Sequence, residues 1–301
     1  MLALVGGTVI PAPGEEVDSG VVLVDAGKVV AVEARATVPS GAETVDVSGR
    51  WVLPGLVDAH THVGIFEEGI GWAGNDVNET TDPITPHLRA IDAINPDDEG
   101  FADALRGGVT TVVVHPGSAN VVGGTGIALK TAGRSVDEMV VRDPVGLKAA
   151  LGENPKRVYG DQKKAPATRM ASAALLRDAL VKATNYRQRR AHAESDGKPF
   201  DRDLRMEPLV AVLERRLPLR LHAHRADDIL TALRIRDEFD FDLTLEHATE
   251  GPKVAELLAA AGVPALVGPM LVSRSKYEVR DRAHTTPAAL TAAGVKVAII
   301  T

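Results

Sequence analysis

The first part of the chain carries short apolar segments that are separated by glycine-bearing turns. Such segments lie at residues 3–10, 21–24 and 28–33, and each has the length and composition of a short β-strand. Between the second and third, Asp25, Ala26 and Gly27 form a hairpin turn signal. No helical pattern appears before residue 95. Residues 1–53 are therefore predicted to form a small all-β unit.

After Pro54 the pattern changes to an alternation of strand-like and helix-like segments. Residues 109–114 form an almost unbroken β-branched run, which is typical of a strand buried on both faces. Further strands are predicted at 56–59, 145–151, 219–222, 243–246, 264–267 and 295–300. Helices are predicted at 97–106, 168–191, 226–239, 252–261 and 287–293. This alternation predicts an α/β fold, a (β/α)8 TIM barrel over residues 54–301, whose third strand is expected between residues 121 and 141.

Composition narrows the function. The chain has 301 residues, of which 45% are apolar and 25% charged, as in an ordinary globular protein. Its net charge of −7 and the lack of a basic face argue against nucleic-acid binding. No apolar run approaches the roughly 20 residues that span a bilayer, and the amino terminus lacks an export signal, so a cytoplasmic location is expected. Cysteine is absent, so any metal must be held by His, Asp, Glu or a modified Lys.

The histidines carry the strongest chemical signal. Among nine histidines, two His-x-His pairs occur, His60 with His62 and His222 with His224, and both pairs follow strand-like runs. Residues i and i+2 of a strand point to the same side. At the carboxyl end of a barrel strand, that side faces the active-site mouth. The two pairs therefore predict a metal site at this end of the barrel.

Residues 54–62, Pro-Gly-Leu-Val-Asp-Ala-His-Thr-His, resemble the signature of the metal-dependent amidohydrolase superfamily. The resemblance covers essentially the whole chain, and the all-β unit resembles the amino-terminal part of that family's β-sandwich. The chain looks most like the imidazolonepropionase-like branch, which includes metallo-dipeptidases of the prolidase type. The resemblance implies a hydrolase barrel that carries a small N-terminal β-sandwich portion.

The resemblance also implies a set of metal ligands. His60 and His62 match the His-x-His pair of strand 1, His222 matches the strand-5 ligand, and His247 matches the strand-6 ligand. His224 then lies next to the site and is expected to bind substrate. Imidazole ligands suit Zn²⁺, the expected ion, and other first-row divalent ions, of which the family binds one or two.

Two residues are alternatives for the middle ligand of the family. Glu153 follows the predicted strand 145–151 in a Gly-Glu-Asn-Pro context that is similar to sugar-amide deacetylases of the family, and we expect it to bind the metal. Lys148, inside the same strand, is the alternative, since a carbamylated lysine can bridge two metal ions.

Further site residues are expected at the ends of strands. His115 follows the strand 109–114 and is predicted to contact substrate, with loop hydrogen bonding as the alternative. Arg225, directly after His224, is predicted to bind a substrate carboxylate. In the family an Asp at the end of strand 8 moves the proton. Here the sequence stops at Thr301, where that Asp would come next, so we expect a chain truncated at its C-terminus that lacks the catalytic Asp.

The resemblance implies a hydrolase that cleaves a C–N bond of a small amide, cyclic or peptide-like, with a metal-activated water. One alternative is an aminohydrolase that deaminates a heterocycle, although Arg225 stands where such enzymes usually carry a Glu. The other alternative is a non-catalytic barrel scaffold. A small-molecule substrate is expected for either enzyme, and a homo-oligomer is compatible with every interpretation.

Overall fold

The structure is a computed structural model that describes residues 1–271 and 275–301. The chain divides into two compact units, Met1–Leu56 and Val57–Thr301. Within the described ranges, no helix is both long enough and apolar enough to cross a membrane.

The first unit is a five-stranded sheet. Its strands are β1 (Leu2–Val9), β2 (Val17–Asp25), β3 (Lys28–Ala34), β4 (Glu43–Asp46) and β5 (Trp51–Val52). β1, β2 and β3 pair antiparallel, whereas β4 and β5 pair parallel to β1. Ala3, Val21 and Leu23 form its small core. The three predicted strands are present, while β4 and β5 are short and mostly solvent-exposed and carry no clear apolar pattern.

The second unit contains the remaining elements. Its strands are β6 (Leu56–Thr61), β7 (Ile84–Arg89), β8 (Val109–Val114), β9 (Val122–Lys130), β10 (Val140–Ala150), β11 (Leu219–Ala223), β12 (Leu243–His247), β13 (Ala265–Val267) and β14 (Val297–Ile299). Its α-helices are α1 (Glu99–Arg106), α2 (Val136–Met139), α3 (Glu153–Asp161), α4 (Arg169–Ser195), α5 (Glu207–Leu213), α6 (Ala226–Phe239), α7 (Ala255–Ala260) and α8 (Thr286–Ala292).

Eight of these strands form a nearly closed barrel sheet in the order β6-β8-β9-β10-β11-β12-β13-β14. The strands from β10 to β14 pair parallel. The third strand, β9, lies in the predicted interval but runs antiparallel to both β8 and β10, which corrects the expectation of a fully parallel barrel. The reason is the connection: only residues 115–121 join β8 to β9, too few for the crossover that a parallel pair requires.

The core of the second unit lies between the parallel strands and the helices that cover them. Its largest cluster is built from aliphatic side chains without solvent exposure, among them Leu176 and Leu180 of α4, Leu221 of β11 and Leu245 of β12. Parallel strands covered by helices are buried on both faces, as β11 and β13 are throughout their lengths. This packing fixes the relative positions of the strand ends that carry the candidate site.

Asp98 joins the segment after β6 to helix α1. Its buried carboxylate accepts hydrogen bonds from the backbone N–H groups of Gly64 (2.7 Å), Glu68 (2.9 Å) and Gly100 (3.1 Å). Asp98→Ala is expected to lower the free energy of unfolding by about 2–3 kcal/mol, because the helix cap and two loop contacts are lost together. Urea denaturation measures this loss. The control is Asp97→Ala, an exposed neighbour whose replacement should change the free energy of unfolding by less than about 0.5 kcal/mol. Equal effects of the two variants would contradict this role of Asp98.

Candidate metal centre

Four histidines that were predicted as ligands converge at the carboxyl ends of β6, β11 and β12. The ring centroids of His60 and His62 are 5.1 Å apart, and those of His60 and His247 are 5.0 Å apart. His222 joins the group with its ring 4.5 Å from that of His247. The barrel therefore brings the four imidazoles into one cluster, although they lie up to 187 positions apart in the sequence.

In three of these imidazoles, Nδ1 contacts an acceptor. His62 donates from Nδ1 to the backbone oxygen of His115 (2.7 Å), and His247 donates from Nδ1 to the backbone oxygen of Gly268 (2.6 Å). The Nδ1 of His60 contacts the carboxylate of Glu246. A donated Nδ1–H leaves the lone pair on Nε2, which is the arrangement of a metal-binding histidine.

In His222 it is Nε2, and not Nδ1, that lies near polar side chains. Its Nε2 lies 3.5 Å from the Asn154 side-chain nitrogen and 3.9 Å from the Glu278 carboxylate. Its Nδ1, like the Nε2 of His60, is buried and has no hydrogen-bond partner among the residues that the structure describes. Buried polar atoms without a partner are costly, and both nitrogens of His115 share this state.

Burial keeps the cluster neutral. Loss of solvation lowers the pKa of His62 to about 4 and the pKa of His247 to about 3, with the nearby Lys148 ammonium as a second cause. Burial also lowers the pKa values of His60 and His222 well below the usual range. At neutral pH all four imidazoles are uncharged, and a neutral imidazole is the form that binds a metal ion.

The backbone is strained where β12 ends. His247 has φ of +73° and the following Ala248 has φ of +44°, both in the left-handed region that non-glycine residues rarely occupy. Ala248 is held there by donating its N–H to the backbone oxygen of Ala223 at the end of β11 (3.0 Å). Strain of this kind is typical of functional sites.

Lys148 lies among the imidazoles. Its side chain is 1% exposed, and its ammonium nitrogen is 3.5 Å from a carboxylate oxygen of Glu246. Burial lowers the pKa of Lys148 well below the usual value, and the charge of Arg220 lowers it further. The same oxygen of Glu246 contacts Nδ1 of His60, so Lys148 lies beside His60.

Glu153, predicted as the middle ligand, is held elsewhere. It begins α3 after a turn at Gly152, whose φ is +89°. Its backbone N–H donates to Glu278 (3.0 Å), and its carboxylate accepts from the backbone N–H of Glu278 (3.3 Å). No hydrogen bond or ion pair within residues 1–271 and 275–301 joins Glu153 to a histidine. The turn at Gly152 thus pairs Glu153 with Glu278, and its role as a metal ligand stays a prediction.

His224 and Arg225, predicted to bind substrate, have different surroundings. His224 is buried, stacks on His247 with ring centroids 5.0 Å apart, and contacts the Thr249 hydroxyl through Nδ1 (2.8 Å). Arg225 donates to both carboxylate oxygens of Asp227 (2.9 and 2.8 Å) and is one-third exposed. His224 therefore belongs to the histidine cluster, whereas Arg225 pairs with Asp227 at the start of α6.

His115, also predicted to contact substrate, is completely buried, with its ring 6.1 Å from that of His60. The ring packs against Gly126 of β9, where a Cβ atom would lie only 2.1 Å from Nδ1. The structure thus places His115 inside the barrel, where its backbone oxygen orients His62.

Two charged residues of the site were not anticipated from the sequence. Glu246 has no solvent exposure, and Arg220, 8% exposed, contacts its carboxylate through Nε. Arg220 also donates to the backbone oxygen of Ala59, the residue before His60 (2.7 Å). The available signal was a charged residue inside an otherwise apolar strand, a combination that is rarely buried without a partner.

A cavity of about 560 Å³ borders the histidine cluster. His60, His62 and His247 line it on one side, and Phe66 and Pro269 contribute apolar surface. This volume lies in the range of small-molecule pockets.

The fold and the site together define a barrel protein with a histidine-rich centre at its carboxyl-terminal face. No family model matches the chain. A crystallised amidohydrolase from Thermotoga maritima is 46% identical and superposes with a TM-score of 0.97, over 100% of this chain and 78% of that one. The chain therefore belongs to the amidohydrolase family, as predicted.

Curated relatives agree with this assignment. An amidohydrolase of Hapsidospora irregularis is 31% identical over 264 residues, which is 79% of this chain and 27% of that protein. An imidazolonepropionase of Pseudomonas putida is 27% identical over 304 residues, 94% of this chain and 72% of that protein. The chain thus spans about a quarter of the first relative and nearly three quarters of the second.

Proposed function

We propose that this protein is a metal-dependent hydrolase that cleaves the C–N bond of a small amide, cyclic or peptide-like. The observation that carries the proposal is the cluster of His60, His62, His222 and His247, in which neutral imidazoles, two buried and two half-buried, keep one nitrogen available. Family membership and the adjoining cavity support the same assignment.

The donor set fits a divalent ion, with Zn²⁺ as the first choice. The partnerless Nε2 of His60 and Nδ1 of His222 are the expected ligand atoms, together with the Nε2 atoms of His62 and His247. When bound, such an ion lowers the pKa of a water molecule to about 7 and polarises the amide carbonyl. The protein's own contribution is to keep the imidazoles neutral and correctly oriented.

Lys148 is better placed than Glu153 to supply the middle ligand. It is buried beside His60, with which it shares an oxygen of Glu246, and in its uncharged form its amine can attack CO₂. A bond then forms between Nζ and the carbon, a proton leaves the nitrogen, and an anionic carbamate results. That anion has two oxygens and could hold two ions, so we propose a two-ion site with Lys148 as its bridge.

The two alternative functions are less well supported. An aminohydrolase would need an acid at the position of Arg225, whose guanidinium instead pairs with Asp227. A non-catalytic scaffold would not require neutral imidazoles whose nitrogens lack hydrogen-bond partners. The acid–base Asp expected after Thr301 stays a prediction, and proton transfer by such a group would complete the reaction.

The choice between Lys148 and Glu153 can be tested by metal stoichiometry. We expect about two zinc ions per wild-type chain in bicarbonate buffer, at most one in Lys148→Met, and no change in Glu153→Gln. Elemental analysis of the desalted proteins measures this directly. Loss of metal from Glu153→Gln with none from Lys148→Met would contradict the proposal and restore Glu153 as the ligand.

The hydrolase activity itself is tested with the zinc-loaded protein, in a form that carries the predicted acid–base Asp, on dipeptides, N-acyl amino acids and cyclic amides. We expect release of the amine product from at least one class, and loss of that activity after chelation with recovery on adding Zn²⁺. Ammonia release from a panel of nucleobases, without amide cleavage, would favour the aminohydrolase instead.

A further inference from the structure

His60 differs from His62 and His247 in the group that its Nδ1 atom contacts. His62 and His247 donate from Nδ1 to backbone oxygens. The Nδ1 of His60 contacts a side chain, the carboxylate of Glu246 on β12. A carboxylate accepts hydrogen bonds and cannot donate them when ionised. Glu246 therefore selects the His60 tautomer that has its proton on Nδ1 and its lone pair on Nε2.

Arg220 fixes the position of this carboxylate. It contacts one oxygen of Glu246, while the other oxygen contacts His60 and lies 3.5 Å from Nζ of Lys148. Arg220 also donates to the backbone oxygen of Ala59 (2.7 Å). Because Ala59 precedes His60, one guanidinium contacts both the Glu246 carboxylate and the strand that carries His60.

Glu246 and its neighbours are buried, and this burial restricts the orientation of the carboxylate. Glu246 has 0%, Lys148 1% and His60 2% relative exposure. Buried charges require partners with good geometry, because the cost of removing them from water is large. Each oxygen of Glu246 has a partner, so the carboxylate has little freedom to rotate away from His60.

We propose that Glu246 is a positioning residue that orients His60 for metal binding by accepting its Nδ1–H, with Arg220 holding the carboxylate in place. The inference rests on the proposed metal centre. Acceptors of this kind change metal affinity by roughly 10–100-fold when they are removed.

The test compares Arg220→Met with Arg220→Met/Glu246→Met. The double variant leaves neither the guanidinium nor the carboxylate buried without its partner, which favours a folded protein. Zinc affinity is measured by competition with a chromophoric chelator. We expect the double variant to bind zinc about 10–100-fold more weakly than Arg220→Met. Equal affinities would overturn the proposal.

A second readout does not depend on metal. In metal-free protein with ¹⁵N-labelled histidine, NMR chemical shifts report which ring nitrogen carries the proton. We expect His60 to be protonated on Nδ1 in the wild type, to keep part of this preference in Arg220→Met, where Lys148 still contacts the carboxylate, and to lose it in the double variant. An unchanged tautomer in the double variant would overturn the proposal, even if its zinc affinity had fallen.

The matched control is Tyr159→Phe. It removes a buried hydrogen bond to Asn120 (2.6 Å) that involves neither His60 nor Glu246. It is expected to leave both readouts unchanged, so a similar loss in this variant would assign the effect to general destabilisation and contradict the proposal. Absence of zinc binding by the wild type would refute the proposed metal centre, whereas the NMR comparison would still decide the role of Glu246.

Discussion

Replacing both His60 and His62 by alanine is expected to weaken zinc binding on the order of 1,000-fold or more, because two of the four proposed imidazole ligands are removed. That factor corresponds to about 4 kcal/mol of binding free energy. Competition with a chelator of known affinity measures the change, and elemental analysis should find the double variant essentially free of metal.

The control for this experiment is His192→Ala. His192 lies near the end of α4, with 79% of its side chain exposed, so its removal should alter neither fold nor metal content. Wild-type zinc content in the double variant would show that the metal, if bound, is held by other groups, such as His222, His224 and Glu278, whose candidate ligand atoms lie within 4.8 Å of one another.

Gly268→Ala is expected to damage both the barrel and the site. Gly268 follows β13 with φ of +154°, and a Cβ atom there would lie 2.0 Å from the backbone oxygen of Ile300. Backbone atoms cannot move aside as a flexible side chain can, so we expect the free energy of unfolding to fall by about 3 kcal/mol or more. Zinc affinity should fall too, because the Gly268 oxygen accepts the Nδ1–H of His247.

Gly262→Ala is the matched comparison for this variant. Gly262 also has a positive φ (+64°), but an added Cβ would meet nothing within 4 Å. It should therefore cost about 1–2 kcal/mol, from backbone conformation alone, and leave zinc binding unchanged. Urea denaturation and the chelator assay check both variants. If Gly268→Ala were no worse than Gly262→Ala, the close approach to Ile300 would not constrain the site.

The parallel half of the barrel was predictable because its strands are buried on both faces. Residues 219–222 and 264–267 were predicted as strands, and the structure has β11 and β13 there, with every residue of both strands buried. β9 lacked this signal because three of its nine residues are glycines, which pack poorly and weaken a strand pattern. Its antiparallel direction depends on the length of the connection before it, and apolar periodicity carries no information about direction.

The convergence of His60 and His62 at one end of the barrel was predictable for a different reason. The i, i+2 spacing of His60 and His62 places both on one side of a strand, and the pattern alone contains that information. No local sequence pattern predicts the contact between Arg220 and Glu246, because the two residues meet only through the pairing of β11 with β12. For the same reason, sequence alone could not show that Lys148 lies among the imidazoles and that Glu153 pairs with Glu278.

The most direct test of the metal centre is anomalous diffraction at the zinc edge from crystals of the zinc-loaded protein. We expect two peaks bounded by the Nε2 atoms of His60, His62 and His247 and the Nδ1 atom of His222. No peak among these atoms, or a peak only between His224 and Glu278, would contradict this expectation.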